Sequence, residues 1–113
     1  MGERPGVNII LTGFSYTGKT RVGIEVARKL GWRFIDIDEE IVHISGKSVA
    51  EIFTHDGEAR FRELESKVLE RACQGTNVVI ATGGGAIMNA ANRQMMMESG
   101  VVICLEANPA TIY

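Results

Sequence analysis

Gly13-Phe14-Ser15-Tyr16-Thr17-Gly18-Lys19-Thr20 decides how the chain is read. An apolar run, Val7 to Leu11, precedes it, and a helical pattern starts near Gly18. Strand, glycine-bearing loop and helix in that order fit the P-loop spacing G-x-x-x-x-G-K-[ST]. Such a loop turns several backbone N–H groups into one cavity. The positive end of the following helix adds to their field, so the cavity suits a cluster of anionic oxygens. Gly13, Ser15, Tyr16, Thr17, Gly18, Lys19 and Thr20 are therefore the candidate nucleotide-binding residues. Lys19 is placed to reach the β- and γ-phosphates, and the Thr20 hydroxyl to ligate Mg²⁺. Tyr16 stands mid-loop, where a small residue would let a phosphate approach more easily.

Outward from the loop, the pattern alternates strand and helix. Residues 7–12 are nearly all apolar, as a buried parallel strand is. The helix after Lys19 sets Val22, Val26 and Leu30 four apart on one face with Ala27 beside them, and Gly31 is its stop. A second strand is expected from Trp32 to Asp38. Its alternation puts Asp36 and Asp38 on one face at the carboxyl end, where open α/β sheets place ligands. Glu39 to Ser45 reads as a short helix ended by Gly46, with Glu39 and Glu40 favourable at its start. Ser48-Val49-Ala50-Glu51 is a capping-box pattern for another helix, broken at Asp56-Gly57. A longer helix follows from about Glu58 to Cys73, with Phe61, Leu64, Val68 and Ala72 as its stripe, Leu69 alongside and Arg62 off it.

Asn77 to Thr82 is a third apolar strand running straight into Gly83-Gly84-Gly85. A helix over about Ala90 to Ser99 is stopped by Gly100, and Val101 to Leu105 reads as a fourth buried strand. Asn108-Pro109 then announces a further helix. The expected fold is α/β: a parallel sheet with right-handed crossovers and helices on both faces, a three-layer P-loop NTPase type. Residues 1–113 form a single domain whose C-terminal part is expected to be missing, since the chain ends one turn into that last helix.

Bulk properties narrow the function classes. A net charge of −2 over 113 residues argues against broad electrostatic binding to nucleic acid or anionic membrane. No apolar run approaches the ~18 residues of a membrane span, and the N-terminus lacks a secretory apolar core. Cys73 and Cys104 are isolated and read as reduced core thiols of a cytosolic protein. His43 and His55 have no partner at metal spacing, and Met95-Met96-Met97 reads as partial core packing.

Taken in order, Gly13–Thr20, Asp36-x-Asp38, Phe61-Arg62 and Gly83-Gly84-Gly85 after an apolar strand resemble the shikimate kinases. These are small P-loop kinases of the nucleoside-monophosphate-kinase structural class. The resemblance implies ATP-dependent phosphorylation of the shikimate 3-hydroxyl, a step of chorismate and aromatic amino-acid biosynthesis. It implies that Lys19 and the loop amides hold the ATP phosphates, and that Thr20 and Asp36 serve Mg²⁺, Asp36 through water. It further implies that Asp38 binds ring hydroxyls and accepts the 3-hydroxyl proton, making Lys19 and Asp38 the catalytic pair. Arg62 would pair with the substrate carboxylate, and the Gly83, Gly84 and Gly85 backbone would approach substrate and transferring phosphate. A cytoplasmic enzyme, monomeric when complete, goes with that family.

Two departures are visible. Tyr16 replaces a loop glycine usual in the family. The family's chains also continue past this point with a mobile lid arginine, a further substrate-binding arginine, a last strand and an adenine-contacting segment, none assignable here. Two other readings stand beside the first: a gluconate-type small-molecule kinase, and a nucleotide-binding fragment or module without catalysis.

Overall fold

The computed structural model describes residues 7–13 and 19–105. Along the chain run β1 (Asn8–Gly13), α1 (Lys19–Leu30), β2 (Arg33–Asp36), α2 (Ile37–Ser45) and α3 (Val49–Glu51). A π-helical turn (Ile52–Asp56) leads into α4 (Glu58–Cys73) and β3 (Val78–Ala81). After a 3-10 turn (Gly84–Met88) come α5 (Ala90–Ser99) and β4 (Gly100–Leu105). The strands form one sheet in the order β2-β3-β1-β4, every pair parallel. Gly13, Asp36 and the Thr82–Gly85 segment therefore all lie at the same, carboxyl edge. No helix among the described residues is long and apolar enough to cross a membrane.

Strand pleating sends alternate side chains to opposite faces. Ile10, Val78 and Ile80 join Ile37 and Ile41 of α2 and Phe61, Val68 and Leu69 of α4 in the larger core. Leu11 and Val79 meet Ala27 of α1 on the other face, with Ile9, Val26 and Phe34 packed around them. Helices cover both faces, as the alternating pattern implied. The turn chemistry also holds. At the end of α1, Trp32 N–H donates to the Ala27 carbonyl at 2.9 Å and Gly31 N–H to that of Arg28 at 3.3 Å. Gly31 sits at φ 72°, a left-handed conformation that glycine adopts without a Cβ penalty. Ser48 and Glu51 form both halves of the capping box.

Four expectations need correction. The second strand stops at Asp36, and Asp38 belongs to the first turn of α2. The cause is Asp36 itself: its carboxylate accepts the Glu39 N–H at 3.2 Å, an N-cap that starts the helix at Ile37. On α1 the buried line is Lys19, Gly23 and Ala27, while Val22 and Leu30 are exposed. A Cβ on Gly23 would lie 3.0 Å from Cδ1 of Phe34 and closer still to Cε1, so the helix packs too near the sheet for larger residues. β4 is an edge strand rather than a buried one, with Val101 54% and Ile103 42% exposed. Helix α1 covers Ile9 and Leu11, their register partners in β1, but does not reach the edge. Cys104 on that strand is accordingly exposed, while Cys73 is half-buried, and both thiols are free.

His43 and His55 lie on the surface. Met96 is buried between half-buried Met95 and exposed Met97. Ser15, Tyr16, Thr17 and Gly18 of the loop, and the helix announced at Asn108-Pro109, lie outside the described residues.

Candidate active site

Each strand of the interior delivers one part of the site at its carboxyl end. β1 ends on Gly13 at φ 138°, where a Cβ would press on the Leu105 carbonyl of β4. The first position of the phosphate loop therefore has both a conformational and a steric reason to be glycine. The Lys19 side chain is buried, and its Nζ donates to the Gly13 carbonyl at 3.0 Å. The ammonium is thus folded back over the start of the loop. Next to it, the Thr20 hydroxyl donates to Oδ2 of Asp36 at 3.1 Å, joining α1 to the end of β2. Oδ1 of Asp36 is occupied by the α2 cap.

Asp38 sits two residues further on, the second residue of α2. Its Oδ1 is buried and has no hydrogen-bond partner among the described residues. Burial pushes its carboxyl above the usual range, and the Asp36 charge pushes the same way; Lys19 and Arg62 oppose both. Both cations are thus close enough to Asp38 to act on its charge. A Cβ built on Gly83 would lie 3.9 Å from each Asp38 oxygen and 3.8 Å from Oε2 of Glu65. Both carboxylates consequently flank that glycine.

Arg62 projects from α4 into the same place. Its Nη1 donates to Oε1 of Glu65 at 2.9 Å, and its Nε faces Glu58 at 3.6 Å. Its Cζ lies 5.3 Å from the centre of the Phe61 ring, within cation–π reach. Phe61 in turn packs on Phe53, ring centres 4.8 Å apart. A cavity of about 380 Å³ opens beside the guanidinium, bordered by Glu58, Glu65, Gly85 and Met88 among others.

The fold brings together Gly13, Lys19, Thr20, Asp36, Asp38, Arg62, Gly83 and Gly85 at one sheet edge; Gly84 lies between the last two in the 3-10 turn. Glu65 is the participant that residue-type reasoning passed over. It is 1% exposed, and burial raises its carboxyl above the ordinary value although Arg62 pulls it down. Its signal was present in the sequence: position 65 falls on the apolar stripe between Phe61 and Leu69, three residues after Arg62. Thr82 is a second such group, with a buried hydroxyl that finds no partner among the described residues.

Hard-cation chemistry fits the Thr20–Asp36 pair, one hydroxyl and one carboxylate oxygen 3.1 Å apart. Mg²⁺ keeps several waters and binds through one or two protein oxygens plus substrate phosphates, so it needs no all-protein cage. Among the described residues there is no cluster of three or more acidic, histidine or cysteine side chains that would form one.

Comparison with known proteins agrees with this geometry. The shikimate kinase family model matches residues 16–113. The chain is 46% identical over 105 residues to a shikimate kinase of Pelotomaculum thermopropionicum, covering 93% of this chain and 61% of that protein. It is 48% identical over 105 residues to one from Caldanaerobacter subterraneus, with the same coverage of 93% and 61%. Among solved structures, shikimate kinase from Acinetobacter baumannii in complex with shikimate superposes with a TM-score of 0.88 at 40% identity, over 91% of this chain and 57% of that one. A gluconokinase from Sinorhizobium meliloti shares the fold alone, at a TM-score of 0.55 and 22% identity over 96% of this chain and 62% of that one. The chain thus spans about three-fifths of the length of the shikimate kinases it matches. With the family model matching nearly the whole chain and relatives at 46% and 48% identity, this chain belongs to the shikimate kinase family.

Proposed function

We propose that this chain carries the phosphate cradle and the hydroxy-acid pocket of an enzyme that moves the γ-phosphoryl group of ATP to the 3-hydroxyl of shikimate. The observation that supports it most is Asp38: its buried Oδ1 has no hydrogen-bond partner among the described residues, and both its oxygens lie 3.9 Å from where a Cβ on Gly83 would stand. Phosphoryl transfer asks mainly for positioning and charge neutralisation, and both reactants must meet at one point.

Each residue then has a task. Lys19 leaves the Gly13 carbonyl for the β- and γ-phosphate oxygens. Arg62 holds the substrate carboxylate through two parallel N–H donors, a geometry a guanidinium presents in one plane. Asp38 accepts the proton of the attacking hydroxyl. Burial and the Asp36 charge raise its carboxyl and make it a stronger base than a solvated one, while Lys19 and Arg62 favour the ionised form. Thr20 and Asp36 are the residues that would hold Mg²⁺, which when bound neutralises charge on the β- and γ-phosphates. Gly83 leaves room beside Asp38 for a ligand to reach backbone N–H groups.

Calorimetry of this chain with shikimate and with Mg–ATP tests binding, and ADP release by a longer chain that continues past Tyr113 tests turnover, which should rise on adding shikimate. Asp38→Asn should lower that stimulated rate by about 10²-fold or more, in line with loss of a positioned base, and Lys19→Ala should weaken the nucleotide. Gluconate binding or stimulation in the absence of any response to shikimate would overturn the substrate assignment.

A further inference from the structure

We propose that Gly85 is a positioning residue: the volume its missing side chain leaves is the seat of the Arg62 guanidinium. What this does for an acid substrate rests on the function proposed above; the seat itself does not.

Backbone conformation does not account for glycine at this position. Among the described residues, the glycines with positive φ are Gly13, Gly31, Gly46 and Gly57, and Gly85 is not one of them. It lies in a 3-10 turn, a conformation open to alanine. There, glycine to alanine ordinarily stabilises, because the unfolded chain loses freedom. Space is the remaining reason. A Cβ on Gly85 would stand 2.6 Å from Nη2 of Arg62 and 2.7 Å from Cζ, with Nη1 nearer still. Both Nη atoms are nearer than Cζ, so the Nη1–Nη2 end of the guanidinium occupies the space a Gly85 side chain would take.

Arg62 is not free to yield. Nη1 is held by the buried carboxylate of Glu65, Nε faces Glu58, and the Phe61 ring lies 5.3 Å from Cζ. Gly83 differs: a Cβ there would meet Asp38 and Glu65 only at ordinary contact distance, 3.8–3.9 Å. The glycines on either side of Gly84 thus answer to different neighbours. Gly83 leaves space beside Asp38, and Gly85 leaves space for the Nη1–Nη2 end of Arg62.

A double-mutant cycle on this chain tests the seat without any ligand. Gly85→Ala, Arg62→Ala and the double variant are unfolded in urea, with Arg62→Gln as a second background. The Nε–Hε signal of Arg62 is followed by NMR in the native and Gly85→Ala chains. Gly85→Ala alone should raise the unfolding equilibrium constant and displace the Arg62 signal. In either Arg62-substituted background it should leave that constant unchanged or lower it, a non-additivity of about fivefold or more. Should Gly85→Ala fail to fold while the double variant folds, the seat is equally supported. An equal cost of Gly85→Ala in all backgrounds, or failure of both to fold, overturns it, as does an Arg62 signal that does not move. Shikimate titration of the same set bears separately on the substrate: weaker binding by Gly85→Ala with an intact fold extends the seat to substrate orientation. Unaltered binding would restrict it to the ligand-free site, and no binding by the native chain would strike the substrate reading alone.

Discussion

Asn8 is a polar side chain inside an apolar strand, and the molecule uses all of it. Its amide nitrogen donates to the Gly75 carbonyl at 2.9 Å and to Oγ of Ser99 at 2.7 Å, while its Oδ1 accepts the Val78 N–H at 2.9 Å. It ties β1 to the ends of α4 and α5 and to the start of β3. Truncation would leave several buried groups unpaired, at about 1–3 kcal/mol each before water relieves part of the loss. Asn8→Ala should therefore lower unfolding free energy by about 2–4 kcal/mol, read from urea melts. A loss under about 1 kcal/mol would mean that water replaces the amide.

Glu65 makes the opposite bargain. Its bond to Arg62 favours the ion pair, and the guanidinium is correspondingly held above its ordinary value. The carboxyl is nonetheless raised, because it is 1% exposed while the Arg62 side chain keeps 39% of its surface. Desolvating the carboxylate outweighs what one cation returns. A raised carboxyl binds its proton more tightly in the folded chain than in the unfolded one. Its contribution to stability is thus largest below the unfolded value near 4.5 and is lost as pH rises through the folded value. Glu65→Gln should flatten the stability-versus-pH curve in that window. An unchanged slope there would show that Glu65 does not titrate differently on folding.

At the scale of elements, small residues and caps decide where helices sit. Helix α1 lies close to the sheet because Gly23 meets the Phe34 ring with no side chain of its own. Alanine would add about 0.5–1 kcal/mol of helix propensity. Overpacking against a ring that is already part of the second apolar cluster costs typically 1–3 kcal/mol. Gly23→Ala should therefore be net destabilising, visible as a lowered thermal midpoint. A raised midpoint would mean that Phe34 turns aside freely. The Ser48–Glu51 capping box starts α3, whose chain passes through the π-helical turn into α4, the helix that carries Arg62 and Glu65. Ser48→Ala should cost about 1 kcal/mol in urea. Lys19 and the Arg62 signal should be undisturbed, because the capping bonds lie outside the site.

Among the described residues, the open feature of the sheet is the β4 edge. Val101 and Ile103 present an apolar strip beside an edge that pairs only with β1 among the described residues. Unpaired apolar edges template association. Ile103→Lys should reduce concentration-dependent light scattering while leaving the unfolding free energy from urea melts within about 0.5 kcal/mol, the usual range for an exposed substitution. An unchanged scattering profile would locate self-association elsewhere. The same sheet explains why the candidate residues gather in one place. Parallel strands point their carboxyl ends one way, so residues from 13 to 85 meet at one edge without any long loop.

Local chemistry settled much of this in advance. Apolar runs, glycine stops, a serine–glutamate box and the loop spacing are short-range signals, and the elements from α1 to α5 lie close to where those signals place them. Asp36 and Asp38 were legible as a pair near a strand end, but not their separation into a helix cap and a first-turn residue. That depended on which backbone N–H the Asp36 carboxylate found. Tertiary packing alone decided the rest. It buried Gly23 and Ala27 in place of Val22 and Leu30, because closeness to the sheet outweighs side-chain size. It left β4 at an edge, because strand order is not written in strand composition. It set Glu65 under Arg62, and Arg62 upon Gly85, because burial and contact belong to the folded arrangement and to no single stretch of chain.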